Sequence, residues 1–164
     1  MKQKTVRVYL SGGMEYAQNE GIDWRQDLDS WIRKSLGHKV FNPNVESEKV
    51  LAKLLPNSDF RLLKSIDLKT YLKIARRYVF LDSKEIAIRT NYVICYWDQS
   101  AQRGAGTKGE LTIARYFNKP VFMVTRIQKE KIPGWVLGCV TEFFSSFEQL
   151  KKFLLSIYGS SIQA

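Results

Sequence analysis

The run from Asn91 to Pro120, NYVICYWDQSAQRGAGTKGELTIARYFNKP, constrains the fold more than any other stretch. Tyr92, Val93, Ile94, Cys95, Tyr96 and Trp97 are apolar, β-branched or aromatic without a break, the pattern of a buried strand. A loop from Asp98 to Gly106 follows, then a helix that begins near Thr107 and ends before Pro120. A strand that turns through Gly104, Ala105 and Gly106 into a helix has the layout of a ligand site in an open α/β sheet. Backbone N–H groups at the helix start face whatever lies beyond the strand end.

Glu110, in the first turn of that helix, has two readings. Thr107-Lys108-Gly109-Glu110 fits the capping box, in which Thr caps the helix and Glu reaches back to the cap's own N–H. That arrangement contributes about 1 kcal/mol and requires no function. Glu110 also shares a helical stripe with Ile113, Ala114 and Phe117, the face that turns to the core. A carboxylate at the sheet end of an apolar face belongs to a crevice. The residues alone leave both readings standing.

The rest of the chain alternates in the same way. Thr5 to Leu10 is the first strand, followed by Ser11-Gly12-Gly13-Met14, a glycine turn where backbone can approach a ligand. Gly21 to Leu36 is a helix with Trp24, Leu28, Trp31, Ile32 and Leu36 on one face and Gly37 as its stop. Lys39 to Phe41 is a short second strand, closed by Asn42-Pro43, so that Asn42 falls at a strand end level with the Ser11 loop.

Val45 to Leu55 reads as a helix broken by Pro56-Asn57-Ser58-Asp59, and a further helix runs from about Phe60 to Arg76. Asp67 lies on the apolar stripe of that helix, where an acid is either partnered in the core or borders a site. Tyr78 to Leu81 leads into Asp82, which is either the N-cap of a short helical piece through Ile88 or an acid with work to do. Val121 to Thr125 is a strand and Gln128 to Pro133 a polar loop. Gly134 to Phe144 holds an edge strand. Ser145-Ser146-Phe147-Glu148 reads as a second capping box, opening a C-terminal helix that buries Phe147, Leu150, Phe153, Leu154 and Ile157. The order predicts one three-layer α/β domain over residues 1–164, with a mainly parallel sheet.

Composition narrows the chemistry. With 164 residues, 45% of them hydrophobic, the chain can bury a substantial core. The single histidine, His38, is too little for a Ser-His-Asp arrangement or a His/Cys metal site, so catalysis must run on carboxylates with Tyr, Ser or Lys in support. Cys95 and Cys139 lack metal or redox spacing and read as reduced structural thiols. Without an apolar run of membrane-spanning length or a leader pattern, the expectation is a cytoplasmic protein. The net charge of +10 is scattered, which fits a solvated basic surface, an anionic small substrate or nucleic acid. No stretch resembles a nucleic-acid-binding motif.

Several separated pieces fit one pattern. Val8-Tyr9-Leu10-Ser11-Gly12-Gly13-Met14, Val40-Phe41-Asn42-Pro43, Asp82, Val93 to Asp98, and Gly104-Ala105-Gly106-Thr107-Lys108-Gly109-Glu110-Leu111 come in family order. Together they resemble the nucleoside 2-deoxyribosyltransferase family, including its deoxynucleoside-monophosphate N-glycosidase relatives, from about Val6 to Val124. The resemblance implies a doubly wound, flavodoxin-like sheet, a homo-oligomer, no metal or organic cofactor, and a deoxyribonucleoside or deoxyribonucleotide as substrate. It implies Glu110 as the nucleophile that attacks the anomeric carbon, Tyr9 as the hydroxyl that orients it, and Asp82 as the acid that meets the nucleobase. Ser11, Gly12, Gly13, Asn42, Gly104, Gly106 and Thr107 fall at the substrate, with the four glycines letting the sugar sit against backbone. Asp98 is a further contact to sugar or base.

Two departures bear on the substrate. The acid that transferases of this family place before the glycine turn is replaced here by Arg103 and Gly104. The asparagine that a neighbouring subunit lends has no match in Gly134 to Phe144. Arg103 beside a helix start suits a 5′-phosphate. Transfer of 2-deoxyribose between bases is the leading expectation, and hydrolysis of the N-glycosidic bond of a deoxynucleoside 5′-monophosphate follows it. A nucleotide-sensing domain without turnover is the reading from another class.

Overall fold

A computed structural model describes residues 5–56 and 59–159. Asn57 and Ser58, part of the expected helix break, lie outside the described residues, as do the first four residues of the expected leaderless start.

Five strands form one sheet: β1 (Arg7–Gly12), β2 (Lys39–Phe41), β3 (Tyr92–Tyr96), β4 (Val121–Val124) and β5 (Glu142–Phe144). Their order is β2-β1-β3-β4-β5, and every pairing is parallel. This is a three-layer, doubly wound, flavodoxin-like α/β fold. Its strand order reverses beside β1, between β1 and β3, where sheets of this kind open a crevice beyond their carboxyl ends.

The period of two along β1 sorts its side chains. Val8 and Leu10 enter the core shared with α1 (Ile22–Leu36) and α8 (Phe147–Tyr158). Tyr9 and Ser11 face the other layer, where α6 (Gly106–Tyr116) packs on β1 and β3. Tyr9 pairs directly with Phe41 across β1 and β2, and the two rings stack at 5.1 Å. α1 stops at Gly37, which sits in the left-handed region at φ 64° as its position predicts.

Between β2 and β3 the chain builds a wall from α2 (Pro43–Leu54), α3 (Phe60–Ile66) and α4 (Leu68–Lys84), followed by a π-helical turn over Glu85–Arg89. Here the structure corrects several expectations. The helix expected over Phe60–Arg76 breaks at Asp67, whose non-helical backbone ends α3 and whose side chain caps α4 by accepting from the Thr70 N–H. Asp67 is therefore an exposed cap and borders no site. Tyr78 to Leu81 lies inside α4, and Asp82 sits in its last turns, capping nothing.

The other faces shift slightly. On α6 the buried stripe is Thr107, Leu111 and Ala114, while Phe117, at 48% exposed, closes the helix on the surface. On α8 the cap is Ser146 with Gln149, one residue later than the expected box, and Ile157 is exposed. His38 is buried, with Nδ1 3.0 Å from the Tyr92 hydroxyl.

The turn after β1 is tightly packed. A Cβ on Gly13 falls 1.9 Å from Ser100 Oγ and 2.8 Å from the Ala101 nitrogen, whereas one on Gly106 meets nothing within 4 Å. Overpacking of that kind costs about 1–3 kcal/mol. Gly13→Ala is expected to lower Tm by roughly 2–10 °C and Gly106→Ala to leave it unchanged, as thermal denaturation followed by circular dichroism will show. Equal Tm values for the two variants contradict this packing.

Candidate active site

Two strand residues on the same face, two apart in sequence, reach one carboxylate. The Tyr9 hydroxyl donates to Glu110 Oε1 at 2.8 Å, and Ser11 Oγ donates to Oε2 at 2.5 Å. Tyr9 is fully buried and held flat by Phe41, so its hydroxyl has little freedom. The capping box does not form: the first residue of α6 is preceded by Ala105, which makes no side-chain cap bond. Of the two sequence readings of Glu110, the crevice is the one the fold adopts.

Glu110 opens onto a cavity of about 720 Å³ between α2, α3, α4 and the first turns of α6. That volume suits a small-molecule ligand. One wall is aromatic: Phe60 and Tyr71 stack at 4.7 Å, and Tyr78 meets Phe60 edge-on at 5.1 Å. Asp82 faces the same cavity from α4. The sequence pattern places Asn42 here. Asn42 instead caps α2 by accepting from the Asn44 N–H, and it is Asn44 that reaches the cavity. The Asn44 amide nitrogen donates to the Glu20 carbonyl, while its buried Oδ1 accepts no hydrogen bond. An unpaired buried acceptor at a cavity wall is a ready contact for a ligand N–H or O–H.

The two acids sit in different surroundings. Burial pushes the Asp82 carboxyl up to about 8, and the charge of Glu110 pushes the same way; Tyr9 and Arg25 work against it. Burial also raises Glu110, but the Ser11 and Tyr9 hydroxyls and Arg25 oppose the rise. Burial raises both carboxyls, and the two hydroxyl donors on Glu110 favour its ionised form. The Tyr9 hydroxyl, pushed far up by burial and then by Glu110, stays a donor.

Arg25 has no counterpart in the sequence analysis. It is buried on α1, and its guanidinium donates to five backbone carbonyls: Gly12 at 2.8 Å, Gly21 at 3.2 Å, Leu10 and Glu20 at 3.3 Å, and Gly13 at 3.5 Å. These bonds clamp the backbone on both sides of Ser11. Burial lowers its pKa and Glu110 is the first group to raise it, which makes Arg25 the buried positive charge that favours an ionised Glu110. Its signal in the sequence is Arg25, Leu28 and Ile32 at helical spacing on the buried face of α1.

The remaining candidates have other surroundings. Gly12 and Gly13 make room for Trp24, Tyr96 and Ser100, and Gly104 lies against the Ser100 carbonyl, so of the four glycines only Gly106 lines the cavity. Asp98 caps α5 (Gln99–Arg103), accepting from the Ala101 N–H and the Ser100 hydroxyl. Thr107 is buried on the core face of α6. Arg103 is exposed outside the cavity wall, with its guanidinium 4.2 Å from the centre of the Tyr16 ring.

Among the described residues no cluster of three or more His, Cys, Asp or Glu side chains is arranged to hold a metal ion, and no helix is long and apolar enough to cross a membrane. The chain matches no family model and no curated protein.

The proton on Asp82 has a consequence for stability. Between the ordinary value of 3.8 and about 8, folded Asp82 keeps a proton that the unfolded chain releases, so this group makes stability fall as pH rises through that window. Asp82→Asn removes that contribution. In urea titrations the variant is expected to gain on the wild type steadily up to about pH 8. A difference that stays constant with pH contradicts the buried proton.

Proposed function

We propose that the protein transfers 2-deoxyribose between nucleobases through a deoxyribosyl ester on Glu110. The observation that carries this reading is the carboxylate of Glu110 held by Tyr9 and Ser11 in a cavity that a second acid, Asp82, also lines, with burial pushing the Asp82 carboxyl up. That division of labour suits cleavage of a glycosidic bond: an ionised nucleophile and a protonated acid in one cavity. Glu110 attacks the anomeric carbon and forms the C–O ester bond as the C–N bond to the base breaks. The electron pair goes to the base nitrogen, and Asp82 supplies the proton. An acceptor base then attacks the same carbon, returns its proton to Asp82 and frees the Glu110 carboxylate. Two inversions give net retention. Water in place of the acceptor base gives hydrolysis.

Each wall has a part. Phe60, Tyr71 and Tyr78 offer an aromatic surface for the base, and Gly106, with open space before it, admits the sugar close to the start of α6. The charge of the lining bears on the sugar. Glu20, Glu48, Asp59, Asp82 and Glu110 face the cavity, and the cation among them, Arg61, is paired with Glu20 at 3.0 Å. Carboxylates repel a 5′-phosphate, and Arg103 stands outside the wall. These features support a free 5′-hydroxyl on the substrate rather than a phosphate.

Chromatography of deoxyinosine with adenine as acceptor tests the reading. New deoxyadenosine is expected, with deoxynucleoside 5′-monophosphates turned over more slowly. Glu110→Gln is expected to lower kcat by on the order of 10³-fold or more. Asp82→Asn should cost roughly 10²- to 10⁴-fold and flatten the fall in rate that the wild type shows above about pH 8, where Asp82 loses its proton. Near-full activity in Glu110→Gln contradicts the mechanism.

A further inference from the structure

A second concavity, of about 400 Å³, lies back to back with the first. The two share α2 and α4 but use opposite faces. Ser47, Glu48 and Leu51 of α2 face the acidic cavity, while Lys49, Val50 and Lys53 face this one. On α4, Arg77, Leu81 and Lys84 recur at helical spacing along its edge.

The charge of this groove is the reverse of its neighbour's. Six cations line it, Arg7, Lys49, Lys53, Arg77, Lys84 and Arg89, against Glu46 and Glu85. Glu85 is buried and satisfied by Arg7 and Arg89, and Glu46 by Lys49 at 2.8 Å. Lys53, Arg77 and Lys84 are exposed and have no ion-pair partner among the described residues. Three cations without an ion-pair partner, from two helices, therefore line a groove with Phe41, Val50, Leu54 and Leu81, Arg77 and Lys84 lying over the Phe80 ring at its edge. Side chains of like charge held together repel one another, and an anion seated among them relieves that repulsion.

We propose that this groove is a second ligand site, for a small anion carrying two or more phosphate groups. A single carboxylate meets one of the three unpaired charges and a monophosphate at most two, whereas a polyphosphate chain carries enough charge for Lys53, Arg77 and Lys84 together. The arginine adds paired N–H donors that match phosphate oxygens. A nucleic-acid strand calls for a track of cations with exposed stacking rings. The ring that lines this groove, Phe41, is 7% exposed with its face taken by Tyr9, and the exposed ring at its edge, Phe80, is already covered by Arg77 and Lys84. That stack also places the groove directly behind the hydroxyl that holds Glu110. The site stands whether or not the acidic cavity transfers deoxyribose.

Isothermal titration of the full chain with inorganic tripolyphosphate tests it. The expected result is one saturable site per chain that weakens as salt is raised. Lys53→Ala/Arg77→Ala/Lys84→Ala is expected to weaken it by about tenfold or more, and Lys151→Ala/Lys152→Ala on α8 to leave it unchanged. Should the triple variant fail to fold, amide NMR shifts in the wild type replace it, and these are expected to centre on Val50, Lys53, Arg77 and Leu81. No saturable binding, equal binding by the triple variant, or shifts centred elsewhere overturns the proposal. So does a single-stranded oligonucleotide that binds through these residues when tripolyphosphate does not.

Discussion

A half-buried carboxylate at the end of a parallel sheet holds a charge more readily where donors meet it, and Glu110 draws both of its donors from one strand. Tyr9 and Ser11 are two residues apart on β1, so the pleat points both toward α6. Everything else in the site follows from keeping that geometry. Phe41 on the neighbouring strand fixes the Tyr9 ring. Arg25 on α1 clamps the backbone around Ser11 from the far side of β1. α6 starts without a side-chain cap, and its first carboxylate is spent on the sheet rather than on its own N-terminus.

The electrostatics are layered in a consistent direction. A buried guanidinium lies behind Glu110, two hydroxyls hold it, and a second acid faces it across the cavity. The charge of Glu110 raises the Asp82 carboxyl, while the donors on Glu110 oppose its own rise. The surrounding cavity carries further carboxylates, while the basic excess gathers on the opposite faces of α2 and α4. Part of the scattered positive charge of the sequence thus becomes local once the helices are placed.

Much of this was legible before folding. The βα alternation and the strand ends follow from periodicity, while Tyr9, Asp82 and Glu110 are marked as a set by the family resemblance; in the fold Tyr9 bonds Glu110, and Asp82 lines the same cavity as Glu110. What escaped was long-range. Arg25 reads as a polar residue beside an apolar stripe until the β1 carbonyls arrive. Asn42 and Asn44 are equivalent in sequence, and only the cap bond between them decides which reaches the cavity. Gly12 and Gly13 read as ligand-facing because a glycine turn looks the same whether its space is taken by substrate or by Ser100 and Trp24. Asp98 and Asp67 fall at helix starts, where a short acid caps more cheaply than it binds. Asp82 inverted that case: the helix before it ran on, so the residue that looked like a cap became the cavity's acid.

Intact-protein mass spectrometry of the chain mixed with a 2-deoxyribonucleoside, without acceptor base, and quenched in acid is the most direct measurement of the central claim. The account predicts a mass gain of one deoxyribosyl group, mapped by peptide digestion to Glu110 and absent from Glu110→Gln. Turnover with no adduct, an adduct on another residue, or the same adduct on Glu110→Gln would contradict it.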